Sequence, residues 1–94
     1  MIEVTRTGSG DPLAFEVVVR EHGGETRHRV TMDSATFNRL AADRYTPERC
    51  IDAVFRFLLD REAKESILAR FDVSVISRYF PEFERELPAY LGRP

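Results

Sequence analysis

Near Asp33 the spacing of apolar residues changes, and that change limits the chain's fold more than any other feature. Upstream the spacing is two. Ile2 and Val4 share a face, Leu13, Phe15, Val17 and Val19 share another, and His28, Val30 and Met32 follow the same rule. A period of two is the signature of strands with one buried face. Downstream the spacing is three and four. Phe37, Leu40 and Ala41 fit one helical stripe, and Ile51, Val54, Phe55, Leu58 and Glu62 fit a longer one with Leu59 beside it. Neither period serves both halves, so the expected class is α+β.

The turn residues divide the first half into three strands, about 2–7, 13–21 and 26–32. Gly8-Ser9-Gly10-Asp11-Pro12 breaks the first connection and Glu21-His22-Gly23-Gly24-Glu25 the second, where the glycine pair offers the positive φ of a tight hairpin. The expected product is a three-stranded antiparallel meander, apolar on one side and covered there by three to five helices. Asp33-Ser34 caps the first helix, expected to end near Asp43 or Arg44. Thr46-Pro47-Glu48 is the sharpest start signal: a capping hydroxyl, a proline for the first helical position and an acid at the positive end of the dipole. Phe57 falls off the main stripe, which implies burial on two sides or a subunit contact. Residues 63–71 keep helical composition, Asp72 caps a further segment, Pro81 kinks or reopens a helix, and Pro88 ends or distorts the last turn.

Ninety-four residues make one domain, 1–94, and Lys+Arg 14 against Asp+Glu 16 leaves a net charge of −2. That balance gives no global pull toward nucleic acid or an acidic membrane. Apolar runs reach only three residues, as in Val17-Val18-Val19, where a membrane span takes about 20. The opening MIEVTRTGSGD has no apolar leader region, so the expected location is cytoplasmic. One cysteine, Cys50, rules out an internal disulfide.

No constellation for catalysis emerges. His22 and His28 lack a cysteine or a further histidine at zinc spacing. The glycines have no P-loop lysine or dinucleotide pattern behind them. Glu82 and Glu86 share a helical face while Glu84 points elsewhere, in the most charged segment of the chain, where a solvated face is the simplest reading. No cofactor, metal or small-molecule ligand is expected, and the protein reads as a non-enzyme. The aromatic cluster is more informative. Ile76, Phe80, Phe83 and Leu87 follow helical spacing, so most of the cluster reads as core or dimer seam, with Tyr79 on a neighbouring face. Phe57, Tyr79, Phe83 and Tyr90 are the candidates for a protein interface, because a 94-residue chain buries only about two-thirds of its unfolded surface. Self-association, as a homodimer, or contact with another protein is the leading expectation.

Two resemblances add to this. Residues 27–62 resemble a ribbon–helix–helix DNA-binding unit: RHRVTM as the short strand, DSATFNRLAAD as the first helix and TPERCIDAVFRFLLDRE as the second. That resemblance implies a strand paired across a dimer, with Arg27, Arg29 and Thr31 toward the major groove and Thr46 holding a phosphate, hence a DNA-binding transcriptional regulator as the alternative. The stretch from Phe55 to Phe83 resembles small bacterial proteins that carry no assigned function.

Overall fold

The computed structural model describes residues 1–41 and 43–92. Strand β1 (Ile2–Gly8) pairs antiparallel with β2 (Leu13–Glu21), and β2 pairs antiparallel with β3 (Gly24–Met32). Helix α1 (Ser34–Ala41) and helix α2 (Pro47–Leu59) follow, then a 3-10 turn at Lys64–Ser66. A short strand β4 (Arg70–Asp72), a second 3-10 turn at Val73–Val75, helix α3 (Ile76–Tyr79) and helix α4 (Phe83–Leu91) complete the described chain.

The class is α+β, and the three antiparallel strands form where the alternation put them. The sheet, however, has four strands in the order β1-β2-β3-β4, and the last runs parallel to β3. Residues 70–72 therefore correct the helical reading of 63–71. The free edge of β3 needs partners for its backbone groups, and the Arg29 N–H finds the Ala69 carbonyl at 2.8 Å. The return takes residues 33–69 and carries α1 and α2, as a parallel connection requires.

Local chemistry explains the boundaries. The β2–β3 hairpin closes on His22-Gly23, both at positive φ (55° and 76°), with Glu21 opposite Gly24. This is a two-residue turn of the twist that suits a hairpin. The first strained position is thus held by a histidine, and Gly24 belongs to the strand. Asp33 caps α1 by accepting the Thr36 N–H at 2.7 Å, and α1 ends at Ala41, short of Asp43, whose φ is positive. Thr46 caps α2, accepting the Arg49 N–H at 3.1 Å. Asp72 accepts the Ser74 N–H, starting the segment it was expected to start. Phe80 leaves the helical region (φ −130°, ψ 86°) because Pro81 follows, so α3 stops and α4 opens after the proline. Pro88 sits exposed inside α4, which runs on to Leu91 because Leu87, Tyr90 and Leu91 are all buried.

Helix α2 is the central element. Phe55 meets His28 and Phe71 of the sheet side, at ring separations of 5.3 and 5.9 Å. On the other side Phe57 meets Phe80, Phe83 and Tyr90 edge to face at 5.0–5.9 Å. The layers are thus sheet, α2, α4, and burial on two sides accounts for Phe57. The outer sheet face carries Val18 and the polar residues Glu3, Thr5, Glu16, Arg20, Glu25, Arg27 and Arg29 among others. It carries ion pairs from Arg20 to Glu3 and Glu25 and from Arg27 to Glu16 and Glu25.

Candidate functional site

Past the end of α2 the chain curls around a groove of about 240 Å³. Leu58 and Glu62 form one wall, Ile67, Leu68 and Phe71 another, and Ile76, Tyr79 and Phe80 the third. Ile67 and Ile76 are buried at its base. At its rim Leu68 is 51% exposed and Tyr79 69% exposed, which is far from the usual fate of such side chains.

The rim is held from behind by His28, a buried residue of β3. Its Nδ1–H donates to the Leu68 carbonyl at 2.8 Å, an oxygen that can only accept, and its Nε2 is hydrogen-bonded to the Thr26 hydroxyl at 2.8 Å. The two bonds fix the ring and pin the loop that presents Leu68. Lys64 points away from the groove. Its ammonium, almost fully buried, pairs with Glu65 at 2.8 Å and lies close against Gly24 of the hairpin.

Glu62 is the charged group in the wall. Its N–H closes the last turn of α2 on the Leu58 carbonyl at 2.9 Å. Burial pushes its carboxyl above the usual carboxylate range, and among the described residues no cation stands within ion-pair distance. This contrasts with the other acids nearby. Glu82 and Glu86 both take hydrogen bonds from Arg61, at 3.0 and 2.8 Å, and Glu84 takes two from Arg39. The face shared by Glu82 and Glu86 is therefore an anchor for Arg61 rather than a solvated surface, and Glu84 turns to α1 as the spacing implied.

The four aromatic candidates separate. Phe57, Phe83 and Tyr90 are buried in the chain's own core, against one another. Tyr79 faces solvent at the groove rim. The residues singled out for nucleic acid also separate. Arg27 is ion-paired to Glu16 and Glu25, the Thr31 hydroxyl donates to Asp72 at 2.6 Å, and the Thr46 hydroxyl is engaged as the α2 cap. Arg29 is exposed on the outer face. One edge of β3 is paired with β2 along its length and the other with β4 over Arg29–Thr31, where a ribbon–helix–helix dimer pairs this strand with its copy.

Cys50 is fully buried, packed on Met32 with sulfurs 3.9 Å apart, and burial pushes its thiol up to about 11. Such a thiol is a core group and not a nucleophile at neutral pH. Glu62 and Leu68 were not among the sequence candidates. The signal for Glu62 was its place on an apolar helical stripe, where a carboxylate is out of pattern. Leu68 had no such signal, because the loop's position depends on β3 and His28.

No family model, curated protein or solved structure matches the chain. No helix of the described residues is long and apolar enough to cross a membrane.

Proposed function

We propose that this chain is a non-catalytic binding domain of the cytoplasm that acts through protein–protein contact, with the groove around Glu62 as its contact face. The occupant we infer is a segment of another protein that presents an apolar side chain next to a lysine or arginine. One observation carries this: a half-buried carboxylate with no cation at ion-pair distance among the described residues stands in an apolar groove between exposed Leu68 and Tyr79. An apolar groove with a few placed polar groups is the usual form of a binding site. A tyrosine supplies large contact area at small entropic cost, which makes Tyr79 the expected anchor. The charge in the wall decides the chemistry of the partner. A cation seated beside Glu62 would offset the desolvation that now disfavours its ionised form.

Selection from a displayed peptide library on the intact chain tests this, followed by affinity measurement with the selected peptides. The expected peptides place a bulky apolar residue beside Lys or Arg. Tyr79→Ala should weaken them about tenfold or more, and Glu62→Gln should weaken them and flatten their salt dependence. Selected peptides without a basic preference, or indifferent to both substitutions, would overturn the reading. Sedimentation over a range of concentrations is the companion measurement. A dimer broken by Tyr79→Ala would put a second copy in the groove and overturn the inferred occupant.

A further inference from the structure

A different surface carries an independent inference. Arg29 of β3 and Arg70 of β4 are direct register partners, so both side chains leave the outer face of the sheet side by side. Like charges placed directly opposite across strands are unfavourable. Elsewhere on this face arginines are matched with acids: Arg20 with Glu3 and Glu25, Arg27 with Glu16 and Glu25. Among the described residues neither Arg29 nor Arg70 has a carboxylate within ion-pair distance. Glu16 lies opposite Arg29 on β2 but turns to Arg27, and Asp72 is taken by the Thr31 hydroxyl and the Ser74 N–H.

Beside this pair the sheet has a hollow of about 560 Å³, bordered by Thr7, Ala14, Glu16, Arg29, Thr31 and Arg70. Its origin is local. Ala14 is small and its register partner on β1 is Gly8, where any added Cβ would come within 3.3 Å of the Ala14 Cβ. The register of β1 also shifts between Arg6 and Gly8, which takes Thr7 out of the ladder. The opening is large enough for a small organic molecule.

We propose that Arg29 and Arg70 bind the phosphate group of a small phosphate ester whose body lies in this hollow. Two guanidinium forks on adjacent strands match the oxygens of one phosphate, and the dianion removes the repulsion between them. The ligand is small because the same face also carries Glu3, Glu16, Glu25 and Asp72, which a polyanionic backbone crossing the sheet would meet. Thr7 stands at the border as a hydroxyl partner for the body of the ester, while the Thr31 hydroxyl, whose proton goes to Asp72, can only accept.

The test is a titration followed by NMR at the arginine Nε–H and backbone amides, at constant ionic strength. The probes are inorganic phosphate, ribose 5-phosphate and a mixed-sequence DNA duplex. Saturable shifts at Arg29 and Arg70, with ribose 5-phosphate tighter than inorganic phosphate, are the expected result. Arg29→Gln and Arg70→Gln should each weaken the ester about tenfold or more without lowering the thermal midpoint, and Arg44→Gln should leave it unchanged. Equal affinity for phosphate and ester would mean an adventitious ion only and overturn the proposal. So would shifts as large at Arg44 and Arg78, no saturation, or a duplex that engages the pair when the ester does not.

Discussion

The guanidinium of Arg61 lies over the ring of Phe57, with its central carbon 3.7 Å from the ring centroid. The same guanidinium donates to Glu82, to Glu86, to the Phe57 carbonyl and to the Tyr90 hydroxyl, which in turn donates to Asp60. One arginine thus closes the outer side of the aromatic layer between α2 and α4. Removing it takes one donor from each of two carboxylates and a phenol. Arg61→Ala is expected to cost about 2–4 kcal/mol by chemical denaturation. In a double-mutant cycle with Phe57→Leu, a coupling near zero would refute the ring's share.

The hairpin turn offers a gain. His22 occupies left-handed backbone, which costs an ordinary L-residue more than it costs asparagine. His22→Asn makes an Asn-Gly turn, the preferred pair for this geometry. Thermal unfolding should show stabilisation of about 0.5–1 kcal/mol, and a loss would contradict the turn assignment.

Cys50 should be silent toward a thiol-specific chromogenic reagent in the folded protein at neutral pH, since it is buried and its thiol is pushed up to about 11. One equivalent should react after addition of denaturant. Fast modification under native conditions would place the thiol outside the core.

Acid should lower the protein's stability through its ion pairs. The Arg39 guanidinium lowers the carboxyl of Glu84 below the usual range, and the Arg6 guanidinium does the same for Glu48. A carboxyl depressed in the fold contributes stability that is present above its unfolded value, about 4.3, and lost as pH falls through its folded value. Stability measured against pH should therefore drop below about pH 4.3, and Glu84→Gln should make that drop shallower.

Glu62 carries the opposite sign. Its carboxyl is raised by burial, so its contribution is best at low pH and worsens as pH rises through the folded value. Glu62→Leu should stabilise the protein at neutral pH by about 0.5–1 kcal/mol, less so in acid, while it removes the preference for basic peptides. A destabilised Glu62→Leu protein at neutral pH would show that the carboxylate serves the fold.

Much of the fold was legible because its causes are local. The period of two needs only a chain that buries one face, and residues 2–7, 13–21 and 26–32 became strands with ends moved by at most two residues. Thr46-Pro47-Glu48 starts α2 through groups within one turn of each other, and the i, i+4 spacing of Glu82 and Glu86 put both on Arg61. Sequence alone determined the α+β class, the meander and most helix starts.

Only the tertiary structure decided the rest. Arg70–Asp72 has too few residues to show a period, and it is a strand because the edge of β3 offers it hydrogen bonds. Phe57, Phe83 and Tyr90 became core when α4 crossed α2, which no spacing within either helix states. The groove around Glu62 and the Arg29–Arg70 pair each join residues about forty positions apart or drawn from several elements. Such neighbours are set by how layers pack, and packing is a property of distant segments meeting and not of any one of them.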